Sequence, residues 1–176
     1  AIRTPYDLLG KRVMYDIKGQ DDAPLQAMLL ETLGGIGAIN PQPPSFRQED
    51  LIDGKTDAIY AYSTDQPFRY QEWGIPINII DPRDYGVDYY GDNLFTTEKE
   101  LQAQPERVKK VIRATLKGWR YALQHPNEII DLILKKYNTQ NFTRTHLEYE
   151  AKETANMVVA EHVAIGSYET SRFKKI

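Results

Sequence analysis

The first half of the chain alternates between residue patterns typical of strands and of helices. The predicted elements are, in chain order, a strand over 12–15, a helix opened by Pro24 and ended by Gly34–Gly35, a short helix after a capping-box pair at Ser45 and Gln48, a strand over 57–62, a helix over 66–73 and a strand over 77–80. The sheet has at least four strands if Ile39 begins one more. This alternation indicates a small α/β lobe with parallel strands.

Helical periodicity replaces this alternation beyond Pro82. Thr97 and Glu100 have capping-box spacing, and Pro105 opens a segment with an apolar residue every three or four positions. We expect Trp119, which lies on that apolar stripe, to be a core residue. Two further helices are predicted, one that Pro126 begins with Ile129, Ile130, Ile133 and Leu134, and one that carries Leu147, Ala151, Thr154 and Val158.

Composition and charge exclude several classes of protein. The 176 residues are 41% hydrophobic and 27% charged, which is typical of a globular domain. The 22 basic and 25 acidic residues are scattered, which argues against a nucleic-acid partner. The absence of cysteine excludes thiol catalysis, disulfides and cysteine-bound metals. No apolar run approaches the roughly 20 residues that cross a bilayer, so we expect any export signal or membrane segment to lie outside this sequence.

No arrangement of residues points to catalysis, a metal or a cofactor. No pair among His125, His146 and His162 has the spacing of a metal-binding helix such as His-Glu-x-x-His. His146 and Glu150 lie one turn apart, which permits a metal site, but a solvated helix face explains them better. The sequence contains no nucleophile elbow, phosphate loop or dinucleotide fingerprint. We therefore expect a protein that is not an enzyme and that has no catalytic residue, bound metal or cofactor.

The segment 81–98 has a composition suited to recognition. It combines three tyrosines with Gly86, Gly91 and Asn93, and a tyrosine offers a flat apolar face together with a hydroxyl. With the motifs Thr64-Asp-Gln-Pro67 and Gly118-Trp-Arg-Tyr-Ala122, this segment resembles the NMT1/THI5-like family of periplasmic solute-binding proteins. The resemblance extends from Thr4 to Gly166, and its most specific part is Gly91–Glu98. It is strongest to bacterial members that serve as sensor domains of histidine kinases and cyclic-dinucleotide signalling proteins.

The resemblance implies an α/β periplasmic-binding-protein fold of type II, the Venus-flytrap architecture, with lobe 2 complete and lobe 1 partial. It divides the chain into an entry segment of lobe 1 (1–11), the α/β lobe 2 (12–81), a hinge and cleft segment (82–95) and the C-terminal helical part of lobe 1 (96–176). Family members carry a further N-terminal part of lobe 1. We therefore expect this chain to cover its apolar helices through an intermolecular contact, such as a dimer, or to be unstable.

Three segments are expected to meet at the hinge and hold a small ligand. The first is the loop 16–24, which contains Gln20, Asp21 and Asp22. Asp21 and Asp22 would repel a sulfonate or phosphate at the helix start and favour an amine or amidine, although they could also simply cap the helix in solvent. The second segment supplies Tyr62, Thr64 and Asp65, which could equally form a polar turn. The third supplies Tyr89, Tyr90, Asp92 and Asn93, and only one of the adjacent tyrosines can face the ligand.

The resemblance predicts an extracytoplasmic domain that closes on a nitrogen-rich, thiamine-pyrimidine-like ligand and signals to a kinase or cyclic-dinucleotide output. One alternative is the binding component of an ABC importer for pyrimidines or sulfonates such as taurine, with a permease as partner. Another is a pyrimidine-synthesis enzyme on the same fold. Because the synthases carry a cysteine-rich motif and this sequence has no cysteine, the resemblance favours binding.

Overall fold

The computed structural model of the chain describes residues 1–16, 22–158 and 162–173. The chain divides into two units, Ala1–Tyr89 and Tyr90–Ile176. Each unit is built from its own helices, and the described strands all belong to the first unit.

A three-stranded parallel sheet forms the centre of the first unit. Its strands are β1 (Arg12–Met14), β2 (Asn40–Gln42) and β3 (Ala58–Ile59), in the order β2-β1-β3. Val13 of β1 lies opposite Pro41 on one side and Ala58 on the other. Because β1 is central and its Val13 and Met14 are buried, this strand carries the apolar character expected of an inner parallel strand.

The same unit contains three helices: α1 (Ala23–Leu33), α2 (Glu49–Ile52) and α3 (Gln66–Glu72). Short 3-10 helices occupy Pro5–Leu8, Ile36–Ala38 and Pro82–Tyr85. Helix α1 ends at Gly34, whose φ of 80° is left-handed, so the predicted glycine stop is confirmed. The core of the unit consists of Leu8, Val13, Tyr15, Leu25, Met28, Leu29, Ile39 and Val87.

The strands are fewer and shorter than the sequence pattern predicts. Residues 77–80, all within the described part, form no strand, and β3 spans two residues instead of six. The backbone N–H of Tyr60 still bonds the Met14 carbonyl, but that of Tyr62 donates to Gln66 Oε1 at 2.8 Å. The Gln66 side chain therefore takes the backbone N–H of Tyr62 into a turn, and the strand ends before this residue.

The predicted capping box at Ser45 is wrong for a similar reason. Gln48 is the N-cap of α2, and the Ser45 hydroxyl accepts a hydrogen bond from the Arg47 N–H at 3.2 Å. A serine hydroxyl that bonds two residues ahead forms a local turn instead of a helix cap.

The second unit is helical throughout its described residues. It contains α4 (Glu98–Ala103), α5 (Pro105–Gln124), α6 (Pro126–Lys136), α7 (Arg144–Val158) and α8 (Thr170–Phe173). The Thr97 hydroxyl accepts the Glu100 N–H at 3.1 Å and caps α4. Ile130 of α6 and Leu147 of α7 are buried. The predicted helices that begin at Pro105 and Pro126 are confirmed.

Two predictions about side chains of this unit are wrong. Trp119 is 40% exposed, because the described helices of the unit leave part of the α5 apolar stripe uncovered. His146 is 1% exposed instead of solvated. Asn138 exchanges two hydrogen bonds with the backbone of Phe142, and this turn sets the Phe142 ring 4.4 Å from the His146 ring. Burial of His146 thus follows from the turn before α7.

None of the helices in the described ranges is both long enough and apolar enough to cross a membrane.

Candidate ligand-binding site

The carboxyl edge of the parallel sheet is the natural place for a ligand in the first unit. The chain leaves β1 to form β2 on one side, then returns to form β3 on the other side. At such a switch point the segments after neighbouring strands diverge and leave a crevice at the carboxyl ends of the strands. Tyr15 and Asp16 follow β1, and the segment 60–65 follows β3. Both therefore leave the sheet at this edge.

Asp22 is the most unusual polar residue of the first unit. It directly precedes α1, yet its side chain makes no capping bond and the residue is only 1% exposed. Its Oδ2 accepts a hydrogen bond from Gln26 Nε2 at 3.0 Å. Its Oδ1 is buried and accepts no hydrogen bond from any residue that the structure describes. A buried carboxylate oxygen without a donor is costly, so Asp22 keeps an unmet hydrogen-bond acceptor at the start of α1.

The negative charge of Asp22 also affects a neighbouring tyrosine. Burial raises the pKa of the Tyr15 hydroxyl, and the Asp22 carboxylate raises it further. Tyr15 is part of the core. The Asp22 carboxylate is therefore close enough to act on the hydroxyl of Tyr15, the residue that follows β1.

A cavity of about 690 Å³ opens beside Asp22. Asp22 and Gln26 supply its polar wall, and Tyr89 supplies an aromatic ring. The remaining wall is apolar or small and consists of Ala23, Ala27, Leu30, Gly35 and Ile36. A volume between about 300 and 1,000 Å³ with a few polar groups in a mainly apolar wall is typical of small-molecule sites.

The structure thus brings together two of the residues that the sequence marks as candidates, Asp22 and Tyr89. Tyr89 is half-buried and packs against the core of the unit. Gln20 and Asp21 lie outside the described residues. Asp22 is buried and makes no side-chain cap, so the alternative of a simple solvent-exposed cap does not hold for this residue.

The candidates that follow β3 form a polar turn. Asp65 Oδ2 accepts a hydrogen bond from Gln66 Nε2 at 2.7 Å, and Asp65 Oδ1 lies 4.0 Å from Arg69 Nε. Tyr62 is exposed and Thr64 is half-buried. These residues lie at the carboxyl edge of the sheet but are absent from the wall of the cavity beside α1.

The last three candidates belong to the second unit. The Tyr90 hydroxyl accepts the Glu169 N–H at 2.8 Å, and Asn93 Nδ2 donates to the Gly91 carbonyl at 2.8 Å. Asp92 is exposed. The bonds of Tyr90 and Asn93 are internal to that unit.

Sequence reasoning missed the other six residues of the cavity wall, namely Ala23, Gln26, Ala27, Leu30, Gly35 and Ile36. Asp22, Gln26 and Leu30 recur every four residues, so they lie on one face of α1. That spacing was the available signal. No group of three or more histidine, aspartate or glutamate side chains within the described ranges could hold a metal ion.

Comparison with known proteins identifies the family to which this chain belongs. Residues 1–129 match the model of the family described as NMT1/THI5 like, and the chain belongs to that family. Together with the small parallel sheet, this match supports an α/β fold of the periplasmic-binding-protein type.

Two curated relatives make the comparison more specific. The chain is 25% identical over 143 residues to the formylaminopyrimidine-binding protein of Halalkalibacterium halodurans, which covers 79% of this chain and 43% of the relative. It is 25% identical over 85 residues to the riboflavin-binding protein RibY of Chloroflexus aurantiacus, which covers 48% of this chain and 24% of the relative. The matched part of the chain therefore covers less than half the length of either relative.

Proposed function

We propose that this chain is part of an extracytoplasmic small-molecule binding protein and that the cavity beside α1 is one of its ligand subsites. The observation that carries the proposal is the buried Asp22 carboxylate at the cavity wall, whose Oδ1 accepts no hydrogen bond from the described residues. The residue has no salt-bridge partner in the described part of the chain that would account for its burial. A ligand N–H would satisfy it.

The ligand class that fits best is a nitrogen-rich heterocycle related to an aminopyrimidine. A carboxylate accepts hydrogen bonds from amine or ring N–H groups and repels sulfonate or phosphate. Tyr89 offers a ring face against which a flat heterocycle can stack. The named ligands of the two relatives, formylaminopyrimidine and riboflavin, are both nitrogen heterocycles. Their binding proteins support the ligand class that the cavity chemistry suggests.

The biological role we propose is the input domain of a transmembrane signalling protein, with a kinase or cyclic-dinucleotide enzyme as the output. The alternative is the substrate-binding component of an importer. The full-length protein distinguishes them, because ligand addition changes the output activity of a sensor, whereas an importer component supports uptake of the ligand through a permease. In both cases the ligand acts by binding one conformation more tightly than another.

Calorimetric titration tests the binding proposal. The purified chain is titrated with formylaminopyrimidine, with riboflavin and with taurine as the sulfonate control. We expect a stoichiometric, reversible heat with a nitrogen heterocycle and none with taurine. Preference for taurine would contradict the assigned ligand class. Steady turnover of formylaminopyrimidine would contradict the binding role and favour the enzyme alternative.

A further inference from the structure

The wall of the cavity changes from polar to apolar along helix α1. Asp22 and Gln26 lie at its start, whereas Ala27 and Leu30 follow further along the helix, and Ile36 comes after its end. At 1.5 Å per residue, Asp22 and Leu30 are separated by about 12 Å along the helix axis. The polar residues that α1 contributes to the cavity wall therefore lie at the start of the helix, and the apolar ones further along it.

The apolar end is open to solvent. Leu30 is 61% exposed although it is part of the cavity wall. A single pyrimidine ring held at Asp22 is far smaller than the 690 Å³ of the cavity and would leave Leu30 uncovered. An apolar group attached to that ring would cover Leu30 and gain free energy by burial.

Gln26 fixes the orientation of the polar end. Its Nε2 donates to Asp22 Oδ2, so Oδ1 is the carboxylate oxygen that accepts no hydrogen bond from the described residues. Its own amide oxygen is a further acceptor at the cavity wall. Two acceptors one helical turn apart on the same face favour a head group with more than one N–H donor.

We infer that the preferred ligand of this subsite is an amino-heterocycle with an apolar substituent, its N–H groups on Asp22 and its substituent along Ala27, Leu30 and Ile36. This inference rests on the proposed function and adds a second specificity determinant, the apolar wall. Leu30 and Ile36 then select among aminopyrimidines by the length and polarity of the ring substituent.

A homologous series of ligands tests the inference. The probes are 4-amino-2-methylpyrimidines that carry a methyl, propyl or pentyl group at ring position 5, titrated calorimetrically into the wild-type chain. Because one buried methylene contributes about 0.8 kcal/mol, we expect affinity to rise about threefold to fourfold per added methylene. The polar analogue with a hydroxypropyl group in place of propyl should bind more weakly than the propyl compound.

Two substitutions in α1 test whether Leu30 is responsible for the dependence of affinity on substituent length. Leu30→Gln makes the apolar wall polar and should flatten the dependence of affinity on substituent length. Glu31→Gln, an exposed residue outside the cavity wall, should keep the full dependence.

The outcomes separate the two proposals. Binding of the methyl compound with no gain along the wild-type series overturns the apolar determinant and leaves the proposed function intact. A gain that Leu30→Gln preserves also overturns it. Failure of every aminopyrimidine to bind overturns the proposed function itself.

Discussion

Arg12, the first residue of β1, donates hydrogen bonds to Asp57, the residue that directly precedes β3. Asp57 Oδ2 accepts the backbone N–H of Arg12 at 2.8 Å and its Nε–H at 3.0 Å, and Oδ1 accepts from a terminal guanidinium nitrogen at 2.8 Å. These bonds from the Arg12 guanidinium and backbone lower the pKa of Asp57 to about 2. One carboxylate therefore fixes the pairing of two parallel strands at the edge opposite the candidate site.

The Arg12–Asp57 pair should make stability depend on pH in the acidic range. The pKa of Asp57 is lower in the folded state, so its contribution is present above about pH 4 and is lost as the pH falls towards 2. Since both side chains are partly exposed, we expect Asp57→Asn to cost about 1 kcal/mol at pH 7. Urea unfolding at pH 7 and pH 3 should show a smaller difference from wild type at pH 3.

A double-mutant cycle is the control for this effect. In an Arg12→Gln background, Asp57→Asn should cost less than in wild type, because only the backbone bond to Asp57 remains. An equal cost in both backgrounds would show that the guanidinium does not stabilise the strand pairing.

Truncation of a buried core residue should lower the free energy of unfolding more than truncation of a partly exposed residue on the apolar stripe of α5. Leu29 is fully buried in the first unit, whereas Trp119 of the second unit is 40% exposed. We expect Leu29→Ala to cost about 3 kcal/mol through transfer and cavity terms, and Trp119→Ala about 1 to 2 kcal/mol because a half-covered ring leaves no closed cavity. Denaturant unfolding followed by circular dichroism measures both. A cost above that of Leu29→Ala would show that Trp119 is covered in solution.

The helices could be predicted closely because the residues that begin and end a helix are part of the helix or adjacent to it in sequence. Pro24, Pro105 and Pro126 each stand in the first turn of a helix, where the missing N–H costs nothing, and Gly34 ends α1 in a left-handed conformation. Strands depend on distant partners instead. The alternating residues 77–80 look like a strand, but no described strand pairs with them, and a sequence does not state whether a partner is present.

The site could be predicted only in part for a related reason. The composition of the loops drew attention to Asp22 and Tyr89, and both lie at the cavity. Because an aspartate before a helix is normally exposed to solvent, the sequence does not predict that Asp22 is buried. Leu30 and Ile36 have the composition of ordinary core positions, and their exposure to the cavity follows from packing.

Phe46 should respond to relief of backbone strain. It is 86% exposed, and its φ of 60° is in the left-handed region, which costs a non-glycine residue about 1 to 2 kcal/mol. Asparagine tolerates this conformation better, and little apolar burial is lost. We therefore expect Phe46→Asn to stabilise the chain by about 0.5 to 1 kcal/mol in urea unfolding.

The chain supplies a reciprocal variant for this test. Asn141 is exposed and has a φ of 55°, so Asn141→Phe should destabilise the second unit by a similar amount. If Phe46→Asn instead lowers stability while Asn141→Phe behaves as expected, the Phe46 ring makes a stabilising contact in solution.

Asp22→Asn should separate recognition from stability. The substitution keeps the size of the side chain and an oxygen that can accept the Gln26 amide, so we expect the free energy of unfolding to stay within about 1 kcal/mol of wild type. The charged acceptor for a ligand N–H is lost, and a charge-assisted hydrogen bond contributes about 1.5 to 3 kcal/mol. Affinity for formylaminopyrimidine, or for whichever nitrogen heterocycle binds the wild type, should therefore fall about 10-fold to 100-fold in calorimetric titration.

Asp84→Asn is the matched control, because it also removes one negative charge but from an exposed position of the first unit outside the cavity wall. This variant should leave the affinity for the heterocycle unchanged. Equal losses in the two variants would mean that Asp22 acts only through net charge, and no loss in Asp22→Asn would remove this carboxylate from the site.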